Sequence, residues 1–281
     1  MKTAARIGVV RSWRRTAPSP VVFVPTMGAL HEGHAALIRK ARRLAGPKGR
    51  VVVSIFVNPT QFGPKEDLAK YPRPFAQDRM ICKEEGADLL FHPTPAEMYP
   101  GDASVMVKES SLAKGLCGAS RPGHFDGVCT VVTMLFNIVQ PDVAVFGEKD
   151  WQQLAVIRRM VRDLAMPVKI VGLPTVREED GLALSSRNRL LSPEARRLAP
   201  RIHQALIATA MEAEAGEYRI ARLRGGLMKE LAAIPAAVVD YAEILDGETL
   251  ESLKSAEPAS GARIFAAVRL GSVRLIDNLP L

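Results

Sequence analysis

Residues 21–45 read VVFVPTMGALHEGHAALIRKARRLA, and their pattern decides the fold. Val21-Val22-Phe23-Val24 is a short β-branched and aromatic run of the kind that forms a buried strand. Turn residues follow. From His34 to Ala45 the period becomes helical, with Leu37, Ile38, Ala41 and Leu44 expected on one face. An apolar strand passing through a glycine turn into an amphipathic helix opens a βαβ unit. The alternation recurs. Strands are predicted at Val51–Val57, Asp88–Phe91, Val143–Phe146 and Val168–Val171, and helices at about 75–86, 127–139 and 151–164. In the last helix Leu154, Ile157, Val161 and Leu164 face inward, while Arg158, Arg159 and Arg162 face out. The fold class is therefore α/β, built on a parallel sheet.

The pattern changes after about residue 175. Residues 193–215 read as a helix, with Ser192 as N-cap and Pro193 at the first helical position. A second helix follows at about 218–233. Val238–Leu245, Arg263–Leu270 and Val273–Ile276 then read as a short antiparallel sheet. Two domains are expected, residues 1–175 and a smaller α+β C-terminal unit, 176–281. A chain of 281 residues buries a core without staples. Its 47% hydrophobic and 24% charged residues exclude disorder, collagen and coiled coil. Cys82, Cys117 and Cys129 are odd in number and widely spaced, which suits buried reduced thiols better than a disulfide framework or a zinc knuckle. Lys2, Arg6, Arg11, Arg14 and Arg15 imitate a targeting peptide, but no apolar region follows, so an exposed N-terminal helix is expected. No run approaches the ~20 apolar residues of a membrane span. A cytoplasmic protein without a membrane partner is expected.

The net charge of +8 is uneven: residues 1–170 carry 24 basic and 15 acidic side chains, residues 171–281 carry 14 and 15. The first part should meet an anion, whether nucleic acid, membrane surface, or small phosphates and carboxylates. Parallel sheets bind ligands beyond the carboxyl ends of their strands, so polar clusters that follow strands are the candidate sites. Neither GxxxxGK[ST] nor GxGxxG occurs, and a nucleotide would need another device.

PTMGALHEGH at 25–34 sets His31 and His34 three apart where a helix begins, on one face. Helix N-termini favour anions, and two imidazoles there can donate hydrogen bonds to a phosphate as its charge develops. Gly28 and Gly33 would let ligand and backbone approach closely. HEGH is not HExxH and has no partner cluster, so no metal ligation is expected; a merely capping or surface role for both histidines is the plainer alternative. NPTQFG at 58–63 supplies amides that hold a carboxylate or hydroxyl without adding charge; an ordinary Asx-Pro turn is the plainer alternative. GEKDWQQ at 147–153 offers Lys149 to a phosphate, Asp150 to a ribose hydroxyl, and Gln153 one turn into the helix. Capping by Asp150 with solvated charges is the alternative there. DGLALSSRNRL at 180–190 sets two hydroxyls beside Arg187 and Arg189, suited to phosphate. Its Gly181 and lack of period suggest a mobile loop, with a solvated linker as the alternative. GASRPGHFD at 118–126 brings Arg121 and His124 ahead of an apolar helix, without a defined role.

In this order, PTMGALHEGH, SIFVNPTQFG (54–63), YPR (71–73), SRPGHFDGV (120–128), GEKDWQQL (147–154), DGLALSSRN (180–188) and RLIDN (274–278) resemble the pantoate–β-alanine ligase (pantothenate synthetase) family over almost the whole chain. HxGH alone marks only a wider nucleotidyltransferase superfamily; the ordered set is far more specific. Thr60 stands where Met is common and Trp151 where Tyr or Phe is common, and neither brings a charged group to the chemistry. The resemblance implies a Rossmann-like first domain, a C-terminal lid and a homodimer. It also implies an ATP-dependent ligation, with Mg2+ accompanying the ATP. Pantoate is adenylated with release of pyrophosphate, then β-alanine displaces AMP to give pantothenate.

Carried onto this chain, the resemblance places Met27, Gly28, Ala29, Leu30, His31, Glu32, Gly33 and His34 along the ATP site, with His34 as proton donor and His31 its partner. Gln61 and Gln153 would hold pantoate, with Asn58 beside them and Gln61 also near β-alanine. Gly147, Glu148, Lys149 and Asp150 would take adenosine and phosphate. Val176 would contact adenine through its backbone. Leu184, Ser185, Ser186 and Arg187 would form the phosphate loop. His34, His31, Lys149 and Arg187 are the expected catalytic groups. Such chemistry needs charge stabilisation on the leaving pyrophosphate rather than a covalent nucleophile, and no Ser/His/Asp arrangement offers one. One rival is a related nucleotidyltransferase acting on another acid, although paired glutamines favour a small neutral-polar acid. The other is an RNA-binding module, disfavoured by 5% aromatic content without RNP-type aromatics.

Overall fold

In the computed structural model the described residues are 1–63, 68–258 and 260–281. Six strands form a parallel sheet: β1 Lys2–Ala4, β2 Val21–Thr26, β3 Arg50–Ile55, β4 Leu89–Phe91, β5 Val143–Gly147 and β6 Lys169–Leu173. Their spatial order is β1-β4-β3-β2-β5-β6. The helices are α1 Ile7–Thr16, α2 Glu32–Ala45, α3 Phe75–Glu84, α4 Pro95–Met98, α5 Leu116–Ser120, α6 His124–Val139 and α7 Trp151–Asp163, then α8 Pro193–Leu198, α9 Pro200–Glu214 and α10 Ile220–Ala232. β7 Ala237–Asp246, β8 Ala262–Leu270 and β9 Val273–Pro280 form an antiparallel sheet. The parallel sheet followed by a small antiparallel one is the architecture read from the sequence.

Strand β2 explains the layering. Val21 and Phe23 turn to a core shared with α6 and α7, while Val22 and Val24 turn to a second core under α2. A strand covered on both faces has no polar face, which is why its sequence is a continuous apolar run. Val22 pairs with Val51 on one side and Val143 on the other. From β2 the chain steps outward through β3 and β4, then returns to β5 and β6 on the opposite side. The loops leaving β2 and β5 therefore diverge, and a crevice opens beyond their carboxyl ends.

Four local expectations change. Lys2–Ala4 pairs with β4, a strand too short to leave a periodic signal. The helix behind it is not merely exposed, since Val10 is fully buried. Leu44 and Leu164 face solvent: Ala45 takes the inward position on α2, and α7 ends before Leu164. The helix expected over 193–215 is two helices broken at Pro200, which has no N–H to continue the first. The C-terminal core packs Leu206, Leu223 and Leu227 from α9 and α10 against the antiparallel sheet. All three cysteines are free and buried. Among the described residues no helix is long and apolar enough to cross a membrane.

Candidate active site

The turn after β2 is held by a carboxylate that the sequence reading missed. Asp78 of α3 is 1% exposed, and its two oxygens accept from the amides of Ala29 and Leu30 at 2.9 and 2.8 Å. Gly28 there has φ +84°, a left-handed conformation that glycine adopts without strain. Asp78 is set apart in sequence by 48 residues from the turn it braces, so no local motif could reveal it. Ala29 and Leu30 are buried and form the floor of the turn. Glu32 points to Arg39 on the outer face of α2. Met27, His31, Gly33 and His34 reach the crevice.

His31 is the N-cap of α2 and His34 its third residue. Gly33 N donates to His31 Nδ1 at 3.1 Å, and His31 N approaches His34 Nδ1 at 3.4 Å, a reciprocal cap made by two imidazoles. The rings lie 4.2 Å apart between centroids. A ring nitrogen that accepts from a backbone N–H carries no proton, so both neutral rings hold theirs on Nε2. A side-chain Cβ at Gly33 would sit 2.9 Å from His31 Cε1. The glycine makes room for the histidine ring, and its backbone also lines the crevice. Burial first, then the Lys149 charge, lowers the His31 pKa to about 4; burial and His31 lower that of His34 to about 3. Both imidazoles are neutral hydrogen-bond donors at neutral pH.

Opposite them stands the turn after β3. Asn58 is 1% exposed and does not line the crevice. Its Nδ2 donates to Gln61 Oε1 at 3.0 Å and to Gly127 O at 3.1 Å, and its Oδ1 accepts from Tyr99 Oη at 2.8 Å. With its amide oxygen taken, Gln61 has its own N–H donors for the crevice it lines. His124 Nδ1 lies 2.9 Å from the Gln61 carbonyl, and Arg121 Nη2 donates to the same oxygen at 3.3 Å. Arg121 and His124, left without a role by the sequence, thus brace the glutamine. Of the adjacent glutamines on α7, Gln152 is buried and bonds Leu112 O, Gly115 O and Cys117 N, while Gln153 lines the crevice. Between Gln61 and Gln153, Val128, Val131, Val132 and Leu135 of α6 form an apolar wall.

The loop after β5 completes the ring. Gly147, Lys149 and Asp150 line the crevice, with Lys149 Nζ 3.9 Å from Asp150 Oδ1. Glu148 does not; its carboxylate lies over Gly172. Val176, Leu184, Ser185, Ser186 and Arg187 close the open side. Two hydrogen bonds hold that segment in place here: Leu184 N donates to Val176 O at 3.0 Å, and Asn188 Nδ2 to Glu178 Oε1 at 3.0 Å. Tyr71 also lines the crevice and hydrogen-bonds Ser186; burial raises its pKa. The crevice, still partly open to solvent, holds about 250 Å³. Among the described residues no group of three His, Cys, Asp or Glu could hold a metal ion.

A parallel α/β sheet with a polar crevice at its strand-order reversal defines an α/β protein that binds small ligands beyond its strand ends. The family is narrower than that. The model of the pantoate-beta-alanine ligase family matches residues 2–280, and the chain belongs to that family. It is similar to the pantothenate synthetase of Syntrophotalea carbinolica, with 53% identity over 264 residues covering 94% of this chain and 92% of that protein. The crystal structure of pantothenate synthetase from Thermus thermophilus superimposes with a TM-score of 0.92 at 49% identity, covering 99% of both chains. That of pantoate-beta-alanine ligase from Francisella tularensis, complexed with beta-gamma ATP and beta-alanine, gives 0.79 at 35% identity, covering 100% of this chain and 97% of that one.

Proposed function

We propose that this chain condenses pantoate with β-alanine at the expense of ATP, and that the crevice between β2 and β5 is where it does so. The observation that carries the reading is the pair of neutral Nε2–H imidazoles facing the crevice beside Lys149. Family membership and the ligands of the Francisella relative support it. Gln61 and Gln153 hold pantoate's polar groups, and the α6 valines take its carbon skeleton. A pantoate carboxylate oxygen attacks the α-phosphorus. The bond to the bridging oxygen breaks, and pyrophosphate leaves with the electron pair. Lys149 and Arg187 stabilise the charge that grows on it. Met27 and Gly147 flank the nucleotide, Asp150 takes ribose, Val176 the base, and Ser185 and Ser186 the phosphates.

His31 and His34 serve as hydrogen-bond donors to phosphate oxygen, not as acids that give up a proton. An imidazole with a pKa near 3 is already neutral and holds its remaining proton tightly. The amine of β-alanine then attacks the acyl carbon, the bond to AMP breaks, and the amine releases a proton to solvent. Mg2+ enters with ATP as part of the substrate; a triphosphate-bound Mg2+ keeps most of its waters and needs one or two carboxylates at most. Asn58 and Asp78 act through the groups they hold.

The same reading takes residues 176–281 as a lid domain, the chain as cytoplasmic, and the assembly as a homodimer through the first domain. Val105 and Met106, exposed in an extended segment after α4, support a protein contact there. Pyrophosphate release measured with ATP and pantoate, with and without β-alanine, tests the function. Release that requires pantoate before β-alanine is added is expected, and its absence would sink the reading.

A further inference from the structure

RLIDN lies on β9, in the antiparallel sheet, yet its last two residues bond the two segments that close the crevice. Asn278 is 4% exposed. Its Nδ2 donates to the carbonyls of Glu148 and Lys149, both at 2.9 Å, and its Oδ1 accepts from Arg263 Nη1. Arg263 Cζ lies over Trp151, 3.3 Å from the ring centroid, and Trp151 Nε1 donates to Gly247 O at 2.6 Å. Asp277 is 6% exposed and accepts from Arg177 Nη1 and Nη2 at 2.7 and 2.9 Å. Arg177 also donates to Gly181 O at 3.1 Å and pairs through its backbone with Ala183. That pairing closes the small hairpin whose second arm runs directly into Leu184–Arg187.

We infer that Asp277 and Asn278 are a positioning pair that fixes the spacing between Lys149 and Arg187. The inference rests on the ATP-dependent ligation reading. Neither side chain lines the crevice between β2 and β5. Asn278 holds the backbone that presents Lys149 and Asp150; Asp277 holds the arginine at the root of the Ser185–Arg187 segment. The two cations come from loops far apart in the chain, and without a shared anchor nothing local would set their distance. Adjacent residues on one strand provide that anchor, because a strand backbone is rigid over one residue step. Catalytic groups on supporting hydrogen bonds keep their geometry only as well as those bonds do. A displacement of about 1 Å costs about 100-fold in rate.

The test is pantoate-dependent pyrophosphate release by the full chain. Asn278→Ala should lower kcat about 100-fold, with the pantoate KM within about twofold and the circular dichroism unchanged. In a Lys149→Ala background the same change should cost far less than about 100-fold further, because the cation it positions is gone and only Asp150 remains on the backbone it holds. Asp277→Asn should lose most of its effect in an Arg187→Ala or a Lys149→Ala background, because the spacing it sets needs both cations. Should Asn278→Ala not fold, Asn278→Asp keeps the volume and the acceptor for Arg263 but turns an oxygen on the two carbonyls, and the same loss of kcat is expected. Wild-type kcat in the folded variants, or equal losses in every background, overturns the positioning pair alone. A wild-type chain without pantoate-dependent release overturns the ligation reading, and the pair with it.

Discussion

Lowering the pH from 7.5 to 5 should destabilise this protein chiefly through two histidines. The ordinary imidazole pKa is 6.5, and the fold lowers it to about 4 at His31 and about 3 at His34. Between 6.5 and 4 the unfolded chain takes up protons that the folded chain refuses, so stability is full above 6.5 and falls with the pH. At pH 5 both rings are still neutral in the fold, about 1.5 units below the unfolded value. Each has then withdrawn about 2 kcal/mol. The pair withdraws about 4 kcal/mol, a fall in melting temperature on the order of 10 °C for a chain of this size. Asp180 and Asp277, whose pKa values the fold lowers, lose their contribution at more acid pH and do not confuse the window. Thermal unfolding at the two pH values would measure the fall, with His34→Gln as the comparison. That variant keeps only one depressed imidazole and should show about half the pH dependence. Nitrogen-15 spectra of the rings should report Nε2–H tautomers down to pH 5. Ring titration near 6.5, or an undiminished pH dependence in His34→Gln, would show that the fold does not hold these imidazoles neutral.

His34→Ala should leave the fold intact and lower pantoate-dependent pyrophosphate release by about 10²–10³-fold, the usual worth of a preorganised transition-state donor; turnover like the wild type would contradict that role. Gln61→Ala should raise the pantoate KM more than it lowers kcat, and an unchanged pantoate dependence would refute the contact. Asn58→Ala should act in the same direction through Gln61 and cost about 1–3 kcal/mol in urea unfolding, since it strands several buried partners. Gly33→Ala should displace the His31 ring and lower release by up to about 10²-fold; full activity would mean the ring's placement is immaterial.

How far the sequence could be read follows from what is local. Val21–Val24 and the turn behind it form one contiguous stretch, and so the strand, helix start and histidine pair were all visible in a line. The antiparallel sheet was visible for the same reason. The roles of Asp78 and Asp277 were not, because the groups they hold, the Ala29 and Leu30 amides and the Arg177 guanidinium, lie 48 to 100 residues away in the chain. QQ at 152–153 shows the limit of motif reading: identical neighbours point to opposite sides of α7, one into the protein and one into the crevice. Asn58 was legible as an amide near the site, but its direction depends on Gly127 and Tyr99, from elsewhere in the chain. Gly33 was legible as a required glycine, and the atom it makes room for was not.

Net charge was the weakest guide, and the site explains why. The two histidines that look like cations in a basic first half are neutral, and Lys149 and Arg189 are among the charges that keep His31 so. Positive charge near an anion site costs nothing when the anion is bound and repels its neighbours when it is not. A pair of imidazoles avoids that penalty by offering Nε2–H dipoles in place of charges, leaving Lys149 and Arg187 to carry the full positive charge. Arg158 and Arg162 stand exposed on α7, so much of the excess lies away from the crevice. On this division of roles, exchanging exposed arginines on α7 for glutamine should flatten the salt dependence of kcat/KM through weaker long-range steering, while kcat itself stays put. A drop in kcat from Arg158→Gln and Arg162→Gln would show that charge remote from the crevice does take part in the chemical step.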